Sequence, residues 1–112
     1  MHGIRPFLAM TLSAQGKHDA ALEQLTPDVL RNGEVDPDIA YSIGSVYALE
    51  GMRDEALKWL DRAISLGNDN RPCFESDPNW AALRGDPGFA ELMKKVRPSH
   101  RSQQTQVDAE QD

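Results

Sequence analysis

Pro37-Asp38-Ile39-Ala40-Tyr41-Ser42-Ile43-Gly44-Ser45-Val46-Tyr47 is the stretch that decides the fold. Ile39, Ile43 and Tyr47 fall four apart with Val46 beside them, which puts one apolar stripe on a helix. Asp36 suits the N-cap and Pro37 the first helical position, where a missing N–H costs nothing. Gly51 ends this helix, and a second stripe follows at Ala56, Leu57, Leu60, Ala63 and Ile64, closed by Gly67. Asp54 and Glu55 sit in its first turn, where the helix dipole favours negative charge. Gly44 and Ala56 are the small residues that would let the two axes approach closely.

Working outward, residues 2–36 repeat this unit at an offset of 35. Ile4 matches Ile39, Leu8 matches Ile43, Leu12 matches Tyr47 and Gly16 matches Gly51. Asp19, Ala21, Leu22 and Leu25 likewise match Asp54, Ala56, Leu57 and Leu60. The spacing predicts helices over roughly 4–15 and 18–31. Thr26-Pro27 interrupts the second, because proline removes an i→i−4 bond; a kink or a restart capped by Thr26 is expected there.

The residues Ile43-Gly44, Tyr47, Gly51, Ala56, Leu60 and Ala63 resemble a tetratricopeptide repeat, a large residue, Gly, Tyr, Gly, Ala, a large residue and Ala in register. The sequence departs from that pattern at Ala40, where a large residue is usual, and at Asn68, near the usual late proline. The phrase Asp77-Pro78-Asn79-Trp80-Ala81-Ala82-Leu83-Arg84-Gly85-Asp86-Pro87-Gly88-Phe89 resembles the closing segment of many bacterial tetratricopeptide arrays. That second resemblance covers residues 70–97 and implies a cap over the last repeat. Each Asp-Pro puts a capping carboxylate before a proline at a helix start. Phe89, Leu92, Met93 and Val96 then give a helical stripe, whereas residues 68–76 read as irregular, with a short turn or helix from Phe74.

The expected architecture is all-α. One helical domain spans residues 1–97, with repeat 1 over about 2–36, repeat 2 over about 37–70 and a capping segment over about 71–97. Residues 98–112 are polar apart from Val107 and are expected to be a disordered tail. Hydrophobic content of 39% with 6% aromatics is lean for a compact globule and normal for a thin helical solenoid. A net charge of −6 argues against a nucleic-acid backbone as partner. No apolar run is long enough to span a membrane, and the start of the chain lacks a signal-peptide core. With one cysteine, Cys73, no internal disulfide can form, and a reducing, cytoplasmic compartment is expected.

Candidate chemistry is sparse. His2, His18 and His100 show no metal-ligand spacing with Cys73 and are expected to be solvent-exposed. Cys73 is expected to be a small buried thiol. Capping accounts for Asp36, Asp77 and Asp86 without acid–base roles. Lys94, Lys95, Arg97, His100 and Arg101 form a basic cluster that suits a helix C-terminus. No phosphate loop or nucleophile motif is present. The chain is therefore expected to be non-enzymatic, with no metal and no cofactor.

The resemblance implies instead a protein-interaction module. In that family the first helix of each repeat lines a groove, which carried onto this chain means Pro6, Met10 and Ser13, then Asp38, Tyr41, Ser42, Ser45 and Leu49. No Lys or Asn stands among them, so a gripped C-terminal carboxylate is not expected, and Tyr41 is either the aromatic anchor for a partner peptide or packed on a neighbouring helix. The alternative is self-association. Two repeats are fewer than a stable solenoid usually needs, and no cap is visible ahead of Ile4, Phe7 and Leu8, which would leave an open edge for a second copy.

Overall fold

The computed structural model describes residues 4–96; the tail, Arg97, His100 and Arg101 lie outside the described residues. Among the described residues there is no strand. Seven α-helices follow in order: α1 (Ile4–Ala14), α2 (His18–Glu23), α3 (Pro27–Gly33), α4 (Pro37–Leu49), α5 (Arg53–Ser65), α6 (Arg71–Ser76) and α7 (Pro87–Lys95). A 3-10 helix, Pro78–Leu83, sits between α6 and α7. No helix is long and apolar enough to cross a membrane among the described residues.

The starts and stops are chemical. The Asp36 carboxylate accepts from the backbone N–H of Asp38 and Ile39, Asp77 from Asn79, and Asp86 from Gly88, each ahead of a proline. Thr26 accepts from Val29 N–H, so the break at Thr26-Pro27 is a true restart and the expected second helix is two, α2 and α3. Gly16, Gly51 and Gly67 all have positive φ, and at each the following N–H reaches back five residues to close the helix, as Met52 N does to Tyr47 O at 2.9 Å. Residues 71–76, expected to be irregular, are helical because Asn70 caps Cys73 N–H and Pro72 stands at the start.

α4 is the central element. It packs along α5 and also meets α1, α3 and the 3-10 helix, while α7 lies on α5. Two apolar clusters result. One joins Ala9, Ala21, Leu25 and Val29 to Ala40, Ile43, Val46, Trp59 and Ala63. The other joins Ala48, Ala56 and Leu60 to Phe74, Trp80, Leu83, Phe89, Leu92, Met93 and Val96. Tyr41 and Tyr47 touch both.

Small residues set the close approaches. A Cβ on Gly33 would lie 2.5 Å from Ile43 Cδ1 and 2.9 Å from Trp59 Cζ3, so α3 meets α4 and α5 there without a side chain between them. Gly44 was expected to face Ala56, and a Cβ on it would indeed lie 3.3 Å from Ala56 O. The Trp80 indole also crowds Gly44, at 3.2 Å from the same Cβ position.

Candidate functional site

The expected groove residues are positioned by α1 and α4, and the capping segment covers much of the face they share. Tyr41 is half-buried; its hydroxyl donates to Asp77 Oδ2 at 2.5 Å. Its ring lies 4.9 Å from Phe74 and stacks on Trp80 at 5.8 Å, centroid to centroid. Burial, then the hydrogen bond to Asp77, pushes the Tyr41 phenol well above its ordinary pKa. Tyr41 is thus packed within the fold, and the reading of it as a free anchor is corrected.

Ser45 is corrected in the same way. It was placed on the open inner face, yet it is 1% exposed. Its hydroxyl donates to Tyr41 O at 2.9 Å and accepts from Trp80 Nε1–H at 2.9 Å. The physical reason is the fully buried indole: its N–H needs an acceptor, and Ser45 beside Gly44 provides both the oxygen and the room. Met10 is half-buried, with Asn79 Nδ2 3.4 Å from its sulfur, and Pro6 is buried. Ser42 and Leu49 are half-buried, and Asp38 is exposed.

Ser13 is a third correction. It is buried and its hydroxyl donates to Glu50 Oε2. His18, exposed as expected, also brings Nδ1 to 2.8 Å from that same oxygen. The Glu50 side chain is only 6% exposed. Burial alone would raise its pKa, but the hydrogen bonds from His18 and Ser13 outweigh it and hold the carboxyl below its ordinary value. Serine and imidazole both bond the carboxylate, so the arrangement ties the α1–α2 turn to the end of α4. Nothing in the sequence flagged Glu50, since its partners stand 37 and 32 residues away.

The cap has a second fastening. Arg53 on α5 holds Asp86 through two contacts, Nε to Oδ2 at 2.5 Å and Nη2 to Oδ1 at 2.9 Å. The Arg53 hydrogen bond is the chief reason the Asp86 carboxyl sits below its ordinary pKa. Cys73, expected to be buried, is exposed on α6 because Phe74 takes the inward position. No group of three or more His, Cys, Asp or Glu that could hold a metal occurs among the described residues.

The other expected surface is the edge of α1. Phe7 is 67% exposed and Leu8 44% exposed; the Ile4 side chain lies outside the described residues. α1 carries one charge, Arg5, in eleven residues. α5 has the opposite character, with Arg53, Asp54, Glu55, Lys58, Asp61 and Arg62 along its length. Among the described residues α1 packs chiefly on α2 and α4, and Phe7, Leu8 and Thr11 stay exposed. No family model matches the chain, and no curated protein and no solved structure matches it either.

Proposed function

We propose that this chain is a non-enzymatic protein-interaction module, built as two tetratricopeptide-like hairpins with a C-terminal cap, and that it meets its partner at the edge of α1. The observation that carries this reading is the exposure of Phe7 and Leu8 on a nearly uncharged helix. The inner face is the weaker candidate, because Tyr41, Ser45 and Met10 are engaged by Asp77, Trp80 and Asn79. The in-register match of residues 2–36 with 37–70 supports the repeat architecture, as do the identical helix endings at Gly16 and Gly51. The test is cross-linking of the full chain in lysate, in the unaltered form and as Phe7→Asp and Leu8→Asp variants. Loss of specific adducts in both variants is expected. Adducts that survive both, and vanish instead on Asp38→Lys or Ser42→Lys, would move the site back to the inner face.

A further inference from the structure

We propose that Asn32-Gly33 is a self-modification site, at which Asn32 loses its side-chain amide as ammonia when the last turn of α3 opens, giving a product in which α3 packs less well. The chemistry belongs to the dipeptide. The Gly33 nitrogen attacks Asn32 Cγ; the N–Cγ bond forms, the Cγ–Nδ2 bond breaks, and ammonia leaves with the Gly33 amide proton. Water then opens the five-membered imide at either carbonyl, which leaves aspartate or an isoaspartyl link at position 32. Water is the one co-reactant. Glycine lets its nitrogen approach because it has no Cβ to obstruct the attack. The other asparagines, Asn68, Asn70 and Asn79, precede Asp69, Arg71 and Trp80, whose side chains crowd the nitrogen.

The fold controls when this can happen. Asn-Gly usually marks a turn, yet both residues lie inside α3, and Gly33 is not among the glycines with positive φ. Three restraints hold the dipeptide shut. Asn32 Nδ2 donates to Asp28 O at 2.7 Å, which draws the amide back along the helix. A helical N–H such as that of Gly33 is engaged by the carbonyl four residues before it. Arg62 on α5 donates to Glu34 O through Nε at 3.0 Å and Nη2 at 2.7 Å, pinning the turn that follows. The imide ring holds Gly33 N eclipsed with Asn32 Cβ, a ψ well outside the helical range. The ring therefore closes only after this turn unwinds. Asn32 is half-buried, and Glu34 and Val35 are exposed, so water reaches the site.

What α3 rests on decides the consequence. A Cβ on Gly33 would lie 2.5 Å from Ile43 Cδ1 and 2.9 Å from Trp59 Cζ3. An isoaspartyl link adds a methylene to the main chain at this crossing and shifts Gly33 where there is no spare room. The aspartate product loses the donor to Asp28 O. It also sets a negative charge four residues after Asp28 and in the last turn of a helix, both unfavourable places for it. A transient opening of α3 thus becomes a lasting weakness in its seat on α4 and α5.

The experiment follows mass at position 32. The full chain and a free peptide of residues 27–36 are held in the same mildly alkaline buffer, and peptide mapping reads the gain of about 1 Da that replaces the amide by a carboxyl. The expected result is conversion at Asn32 ahead of Asn68, Asn70 and Asn79, at least about tenfold slower in the full chain than in the peptide, because opening must come first. Arg62→Ala should speed conversion in the full chain several-fold. Urea below the unfolding transition should do the same in the unaltered chain, which keeps the test valid if Arg62→Ala folds poorly. The converted chain, separated by its added charge, should melt several degrees lower than the starting material. Conversion of the full chain at the peptide's rate overturns the proposal. A rate at Asn32 that neither Arg62→Ala nor urea changes also overturns it, as does the absence of any gain at Asn32 under all of these conditions. A converted chain that melts where the unconverted one does would equally refute it.

Discussion

Ser45→Ala isolates one of the two side-chain hydrogen bonds that join α4 to residues 77–80. The substitution removes the acceptor of Trp80 Nε1–H, and Trp80 is wholly buried. A buried donor left without a partner costs about 1–3 kcal/mol. The lost donation to Tyr41 O adds little, because the helix already supplies that carbonyl with a backbone partner. For a domain of this size each kcal/mol corresponds to about 4–8 °C in melting temperature, so a fall of at least about 4 °C is expected. Urea unfolding followed by circular dichroism gives the free energy directly. The control is Trp80→Phe, which removes the donor along with part of the ring and leaves the Ser45 hydroxyl bonded to Tyr41 O. On that background Ser45→Ala should cost less than about 0.5 kcal/mol, because no buried N–H is then orphaned. An equal cost in both backgrounds would refute the reasoning and assign the effect of Ser45→Ala to helix α4 itself.

Two further predictions concern the cap and acid. Phe89→Ala should destabilise the protein by about 3–5 kcal/mol, since Phe89 is 2% exposed and packs near Trp80; a thermal melt unchanged from the unaltered chain would show this packing to be dispensable. Glu50 is held below its ordinary pKa, so its bonds to Ser13 and His18 stabilise the fold above the ordinary carboxylate range, about pH 4.3, and this contribution is lost as pH falls through the lowered folded value. Glu50→Gln should therefore melt lower than the unaltered chain at pH 7 and approach it toward pH 3; a constant gap across that range would deny Glu50 its role.

The helices were legible because their signals are local. Asp36-Pro37, Thr26-Pro27 and the glycines at 16, 51 and 67 act within one turn of where they stand, and the stripes through Ile39 and Ile43 depend only on helix periodicity. The C-terminal segment was legible as an apolar helix, since Phe89 and Leu92 read as a stripe and are buried. Its seat was not. Tyr41 to Asp77 and Ser45 to Trp80 span 36 and 35 residues, and no periodicity says which polar residue on a helix will meet an indole from so far along the chain. The family pattern pointed those same side chains into an open groove, and a large aromatic seeking burial overrode it.

The distribution of ring-bearing residues has a consequence for how the molecule breathes. Tyr41, Phe74, Trp80 and Phe89 gather on one side of α4, whereas α1, α2 and α3 bring only Ala9, Ala21, Leu25 and Val29 to the other cluster, whose one buried ring, Trp59, comes from α5. Large rings contribute far more burial per residue than alanines do, so cohesion is graded along the stack. The part formed by α1, α2 and α3, held by small side chains and the Glu50 node, opens at least cost, and excursions should start there while α4, α5 and α7 stay closed. The end of the molecule that exposes Phe7 and Leu8 is thus also the one held by the smallest side chains, free to adjust its angle to whatever settles against it.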